Sequence, residues 1–185
     1  MQERLRIVGE YDVHGRPEQS ETETADSVLN LVESLQSGRG GWAEHVVFTG
    51  RIDDAAAVDD RDTGVALSSL KDFVRTLYDY ARTGYAGSMH AYLRDESVQS
   101  FRCTFTRWAP TESQTVQSSP RLAGMRRFPV PVEVDPSGVV FMFAHFKVNG
   151  LGTFRPRLHY YDDTSKSGKV YIGYIGRHLE TPGTN

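Results

Sequence analysis

Among the side chains of this 185-residue chain, six histidines are best suited to proton transfer near neutral pH, because imidazole titrates close to it. Two of them, His145 and His159, lie in neighbouring apolar stretches near the C-terminus, and His178 follows soon after. Lys147, Arg155, Arg157 and Arg177 are interleaved with them, together with Tyr161 and Tyr171. Guanidinium forks grip phosphate and carboxylate through charge-assisted hydrogen bonds, and tyrosine rings offer stacking surfaces to bases. As a surface, this set would bind an anionic or protein partner. As a catalytic centre, His145 and His159 would move protons while arginine holds a phosphodiester.

Other chemistries have weaker support. The chain has no HEXXH helix and no tight His/Asp ligand motif, and the nearby arginines would repel a divalent cation, so neither a metal nor another cofactor is expected. The acidic run Asp53 to Asp62 lacks the alternating oxygen ligands, turn glycine and terminal glutamate of an EF-hand, and reads as a solvated loop. Gly150 and Gly152 sit between strands, with no helix N-terminus or Walker lysine to receive a phosphate. No GXSXG elbow is present. Cys103, the single cysteine, falls between Phe101 and Phe105 on an apolar strand face, where a packed thiol is expected.

The elements that must position these residues follow from periodicity. Val139 to Val148, Phe154 to Asp162 and Val170 to Gly176 alternate as three strands of a β-meander spanning about 139–176. Pairing Val148 with Phe154 places His145 opposite Arg157, and pairing Tyr161 with Tyr171 extends one apolar face through Val170, Ile172 and Tyr174. His145, Lys147, Arg155, Arg157, His159, Tyr161, Tyr171 and Arg177 then share the other face, with Gly173 leaving space in its middle.

Earlier in the chain, Leu5 to Val8 reads as a strand, and His14 falls in the turn after it. Helices are expected at about 21–37, with Ser20 and Glu23 as a capping box, and at about 69–82, with the stripe Leu70, Phe73, Val74, Leu77 and Ala81. Trp42 to Ile52, Met89 to Leu93, Val98 to Trp108 and Val130 to Val134 read as further strands. The Pro-, Ser-, Thr- and Gln-rich stretch Ala109 to Pro131, which carries Arg121, Arg126 and Arg127, reads as a long loop or lid that could assist the binding face.

Composition sets the outer limits. Apolar residues at 38% and charged residues at 24% fit a globular chain, and the net charge of −3 confines any polyanion site to a local patch. The reading is a single α+β domain over 1–185, its sheet mainly antiparallel. Met1 to Gly9 lacks a secretory apolar run and no stretch could span a membrane, so the cytoplasm is the expected compartment. The excess of arginine over lysine suits a GC-rich bacterial genome. The expected function is a binding or assembly module presenting its basic, aromatic sheet face to a protein partner or a second copy. The alternative is a single-stranded nucleic-acid binder, or a phosphodiesterase or nuclease using His145 and His159.

Overall fold

The computed structural model describes residues 24–38, 41–61 and 64–183. The expected strand at Leu5–Val8, the turn at His14 and the Ser20/Glu23 capping box lie outside the described residues. The fold is α+β: among the described residues, five strands form a mixed sheet and two more form a small antiparallel ribbon. The strands are β1 (Val46–Phe48), β2 (Trp108–Ala109), β3 (Arg127–Pro129), β4 (Val139–Phe141), β5 (His145–Lys147), β6 (Arg157–Asp163) and β7 (Lys169–Gly176). The large sheet runs β1-β7-β6-β5-β2, antiparallel throughout except where β1 lies parallel to β7.

Helices cover one face of that sheet. Helix α1 (Val28–Ser37) starts at Ser27, whose hydroxyl accepts from Asn30 N–H, and stops at Gly38 in the left-handed conformation, φ 68°. Its first N–H groups, on Val28 and Leu29, donate to the two carboxylate oxygens of Asp59 at 2.9 and 2.8 Å. Asp59 belongs to α2 (Ile52–Asp59), so the acidic stretch expected as a loop is largely helical and caps a neighbour. Helix α3 (Val65–Arg82) extends the expected second helix toward the N-terminus. Ser69, where the expected helix begins, is a buried interior residue whose hydroxyl accepts from Asn149 N–H at 3.3 Å.

Two regions read as strands fold otherwise. Met89–Arg94 is a short helix, α4, capped by Ser88; Met89, Tyr92 and Leu93 are buried at helical spacing. Between Val98 and Trp108 the backbone turns to α3 for partners: Phe101 N–H donates to Asp79 Oδ2 (3.1 Å) and Cys103 N–H to Thr76 Oγ1 (2.9 Å). Those side chains satisfy the amides that a strand ladder would have used. Trp42–Glu44 is a 3₁₀ turn, and the strand beyond it is confined to β1.

The first meander strand divides in two. β4 pairs with β3, in place of the expected strand at Val130–Val134, and β5 joins the large sheet. The Asp135-to-Gly138 turn closes the β3–β4 ribbon, with Gly138 N–H donating to Asp135 O at 2.8 Å. In the large sheet His145 pairs with His159 and Lys147 with Arg157, two residues from the expected register; an even slip leaves every side chain on its expected face. Tyr161 does pair with Tyr171. A bulge at Gly173 then breaks the alternation, so Ile175 pairs with Leu158, and Tyr174, expected on the apolar face, pairs with His159 on the other.

The main core lies between the helices and the sheet: Phe73 stacks on Phe146 with ring centroids 4.7 Å apart, and Leu158, Ile172 and Ile175 are fully buried. The opposite face is covered by the β3–β4 ribbon and by two short helices, α5 (Gln114–Ser118) and α6 (Pro120–Gly124). The Ala109–Pro131 stretch is thus a structured cover. Ser113 caps α5, Ser119 caps α6, and Pro120 occupies the first turn of α6. A last short helix, α7 (Thr164–Ser167), links β6 to β7. No helix among the described residues is long and apolar enough to cross a membrane.

Candidate functional site

Cross-strand pairing brings the two histidines together. His145 on β5 and His159 on β6 have ring centroids 5.0 Å apart and planes tilted by 32°, and they are 7% and 1% exposed. His145 Nδ1 lies 2.9 Å from Phe143 O, and His159 Nδ1 lies 2.8 Å from Met142 O. A carbonyl only accepts, so each Nδ1 carries its proton and each Nε2 presents a lone pair. Burial lowers the pKa of both rings. For His159 the effect is large and is reinforced by His145.

The cover supplies a third group. One carboxylate oxygen of Glu112 and one nitrogen of each ring lie within 4.8 Å of one another. Glu112, the sole acidic residue between Ala109 and Pro131, is fixed by Arg126: Arg126 Nε donates to Glu112 Oε1 at 2.9 Å and Nη1 donates to Leu122 O at 3.0 Å. Arg126 is 1% exposed, so this pair is buried, and its guanidinium is spent on holding α6 and Glu112 in place. The arrangement can hold a cation between two neutral imidazoles and a carboxylate, or pass protons between neighbouring groups.

Beside this cluster opens a cleft of about 470 Å³ lined by Arg61, Thr153, Phe154, Arg155, Arg157, Arg177 and His178. Arg157 is half-buried. Its Nη1 donates to Pro156 O at 2.9 Å, and its Nε is buried with no hydrogen-bond partner among the described residues. Desolvation lowers the Arg157 pKa, which leaves an incompletely paired cation on the wall of the cleft. Arg155 braces the β5–β6 loop through the carbonyls of Gly150 and Phe154. His178 is held below its usual pKa by desolvation and then by Arg157.

The expected binding residues thus separate. Arg155, Arg157 and Arg177 converge on the cleft, whereas Lys147 is exposed and donates to Thr106 O at 3.5 Å. Tyr171 is buried under the ribbon with Val130 and Met142, and Tyr161 packs at the edge of the same cluster. Arg126 is internal. Arg127 is exposed over the Phe141 ring, 5.7 Å from its centroid. The space expected at Gly173 is taken by Phe128 and Met142. Sequence reasoning missed Glu112 and Arg61. An isolated acid inside an otherwise basic stretch was the available signal for Glu112, whereas Arg61 lies in the turn just past α2, in a stretch read as loop. Set against known proteins, the chain matches no family model, no curated sequence and no solved structure.

Proposed function

We propose that the protein binds a ligand bearing a phosphoryl group, a nucleotide or a single-stranded nucleic-acid end, in the arginine cleft. The observation that carries this reading is Arg157, a half-buried cation with an unpaired Nε, facing a concavity shared with Arg61, Arg155, Arg177 and His178. A desolvated guanidinium strengthens hydrogen bonds to an oxyanion. The chain's acidic balance argues for one local anion contact and against a long polyanion track. Phe154 on the same wall offers an apolar surface beside the anion.

The test is a thermal-shift and calorimetric titration of the full chain with inorganic pyrophosphate and with a short 5′-phosphorylated oligonucleotide at low salt. Saturable stabilisation is expected, and it should fall at least tenfold in affinity in Arg157→Gln and weaken as salt rises. Absence of binding by either probe overturns the reading.

A second reading, a protein-binding surface, is favoured by one separate patch. Phe141 is 49% exposed, stacks on Phe143 at 5.3 Å and lies under Arg127. Aromatic and arginine side chains are the types that anchor protein interfaces. Loss of a co-purifying partner or of self-association in Phe141→Ser, with the cleft intact, would support it; an unchanged complex would remove it.

A further inference from the structure

We propose that Glu112, His145 and His159 form a binding site for a first-row divalent transition ion of the zinc type, with one coordination position left open. The three ligands come from distant parts of the chain and converge with one donor atom each inside a 4.8 Å set. Tetrahedral ligands about 2.0–2.2 Å from a metal stand roughly 3.4 Å apart. Closing the set therefore needs a movement of about an ångström, within reach of the glutamate side chain on its cover.

The tautomers carry the argument further than proximity does. Each imidazole donates its Nδ1 proton to a fixed backbone carbonyl, Phe143 O or Met142 O. Such outer partners orient ligating histidines and raise the donor strength of the opposite nitrogen. Neither Nε2 makes a hydrogen bond among the described residues, although His159 is almost wholly buried. Two imidazole nitrogens with no protein donor, beside a carboxylate, form a donor set suited to an ion.

The nearby positive charge is mostly engaged elsewhere. Arg155 and Arg177 face the cleft, and Arg126 is paired with Glu112 Oε1, leaving Oε2 as the free donor; Arg157 is the remaining cation near both rings, on the cleft wall where an anionic ligand would offset it. Imidazole nitrogen with one carboxylate suits zinc, iron(II), cobalt(II) or nickel(II), whereas magnesium and calcium prefer all-oxygen shells. Three protein ligands fit a centre that keeps a place for water or substrate. Cys103, buried against α3 with its amide on Thr76, supplies no ligand here.

The experiment uses the full chain, stripped with chelator and titrated with zinc alone by calorimetry and with cobalt alone by visible absorption, in chloride buffer without other anions. One equivalent of zinc should bind and raise Tm. Cobalt should show ligand-field bands without a thiolate charge-transfer band. Because losing an outer partner alone costs roughly 10- to 100-fold in affinity, His145→Gln and Glu112→Gln should each lose about a hundredfold or more. Circular dichroism of the metal-free variants confirms that they are folded, and His159→Gln serves if either is not. No uptake by the native chain, or equal uptake by folded variants, overturns the site. Failure here leaves the phosphoryl reading of the cleft standing, and loss of pyrophosphate binding in Arg157→Gln leaves the metal site standing.

Discussion

The two faces of the central sheet are built from alternate residues of the same strands, yet they are made of different material. Toward the helices, Phe146, Leu158, Tyr160, Ile172 and Ile175 join α1, α3 and α4 in one continuous core. Toward the cover, Val130, Met142 and Tyr171 make a small buried cluster, Val116, Leu122, Ala123 and Tyr174 are buried beside it, and the enclosed space also holds His145, His159 and the Arg126–Glu112 pair. Apolar burial contributes about 25 cal/mol per Å², whereas enclosed charges contribute little net stability even when paired. One face therefore carries most of the stability, and the other holds the candidate site.

The largest expected effect tests that division directly. Phe146→Ala removes a fully buried ring that stacks on Phe73 and Tyr160, and should cost roughly 3–5 kcal/mol. Its chain neighbour on the other face, His145→Gln, should cost no more than about 1 kcal/mol, since its Nδ1 contact to Phe143 O is one hydrogen bond. Urea unfolding of the two variants decides the matter. Similar losses at both positions would mean that the covered face contributes to stability as the core does.

A smaller but more local loss is expected from Arg126→Leu. Removing one partner of a buried ion pair leaves the other uncompensated, at about 3 kcal/mol. Glu112 is 11% exposed and can recover some water, which places the cost at or below that figure. The cover should loosen before the rest of the molecule does, so limited proteolysis should cut between Thr111 and Arg126 while the far-ultraviolet circular dichroism stays native. Cleavage spread evenly over the chain would show that the cover is not a separable layer.

This division also explains what could be read in the sequence. The α+β class, the stripe of α3 and the face on which His145, His159, Arg157 and Tyr161 lie all follow from periodicity, which survives a two-residue error in register. Met89 to Leu93 reads as a strand because a six-residue helix has too few turns to show its period. Tyr174 was misplaced because a bulge shifts alternation by one residue and leaves no signature beyond a glycine. Glu112 stands out in the sequence only as an isolated acid, and its position does not follow from that: its approach to the histidines depends on the path of the cover, set by the caps at Ser113 and Ser119 and by the long-range bond to Arg126.

Gly173→Ala gives the smallest effect and the finest test of where the two layers meet. A Cβ at this bulge would fall inside van der Waals contact with Phe128 Cβ and Met142 Sδ. The methionine end can move aside, but the Phe128 Cβ is tied to the backbone of β3, so overpacking should cost roughly 1–3 kcal/mol at the ribbon. Hydrogen exchange should quicken at the β3–β4 amides and at Met142, whose N–H donates to Arg126 O at 2.8 Å, while the α3 amides keep their protection relative to the global unfolding rate. Because Met142 O is the carbonyl that holds His159 Nδ1, zinc affinity should fall in the same variant although no ligand has been changed. Faster exchange throughout α3, with the ribbon no more affected than the helices, would mean that the sheet does not separate the stable face from the one that bears the candidate site.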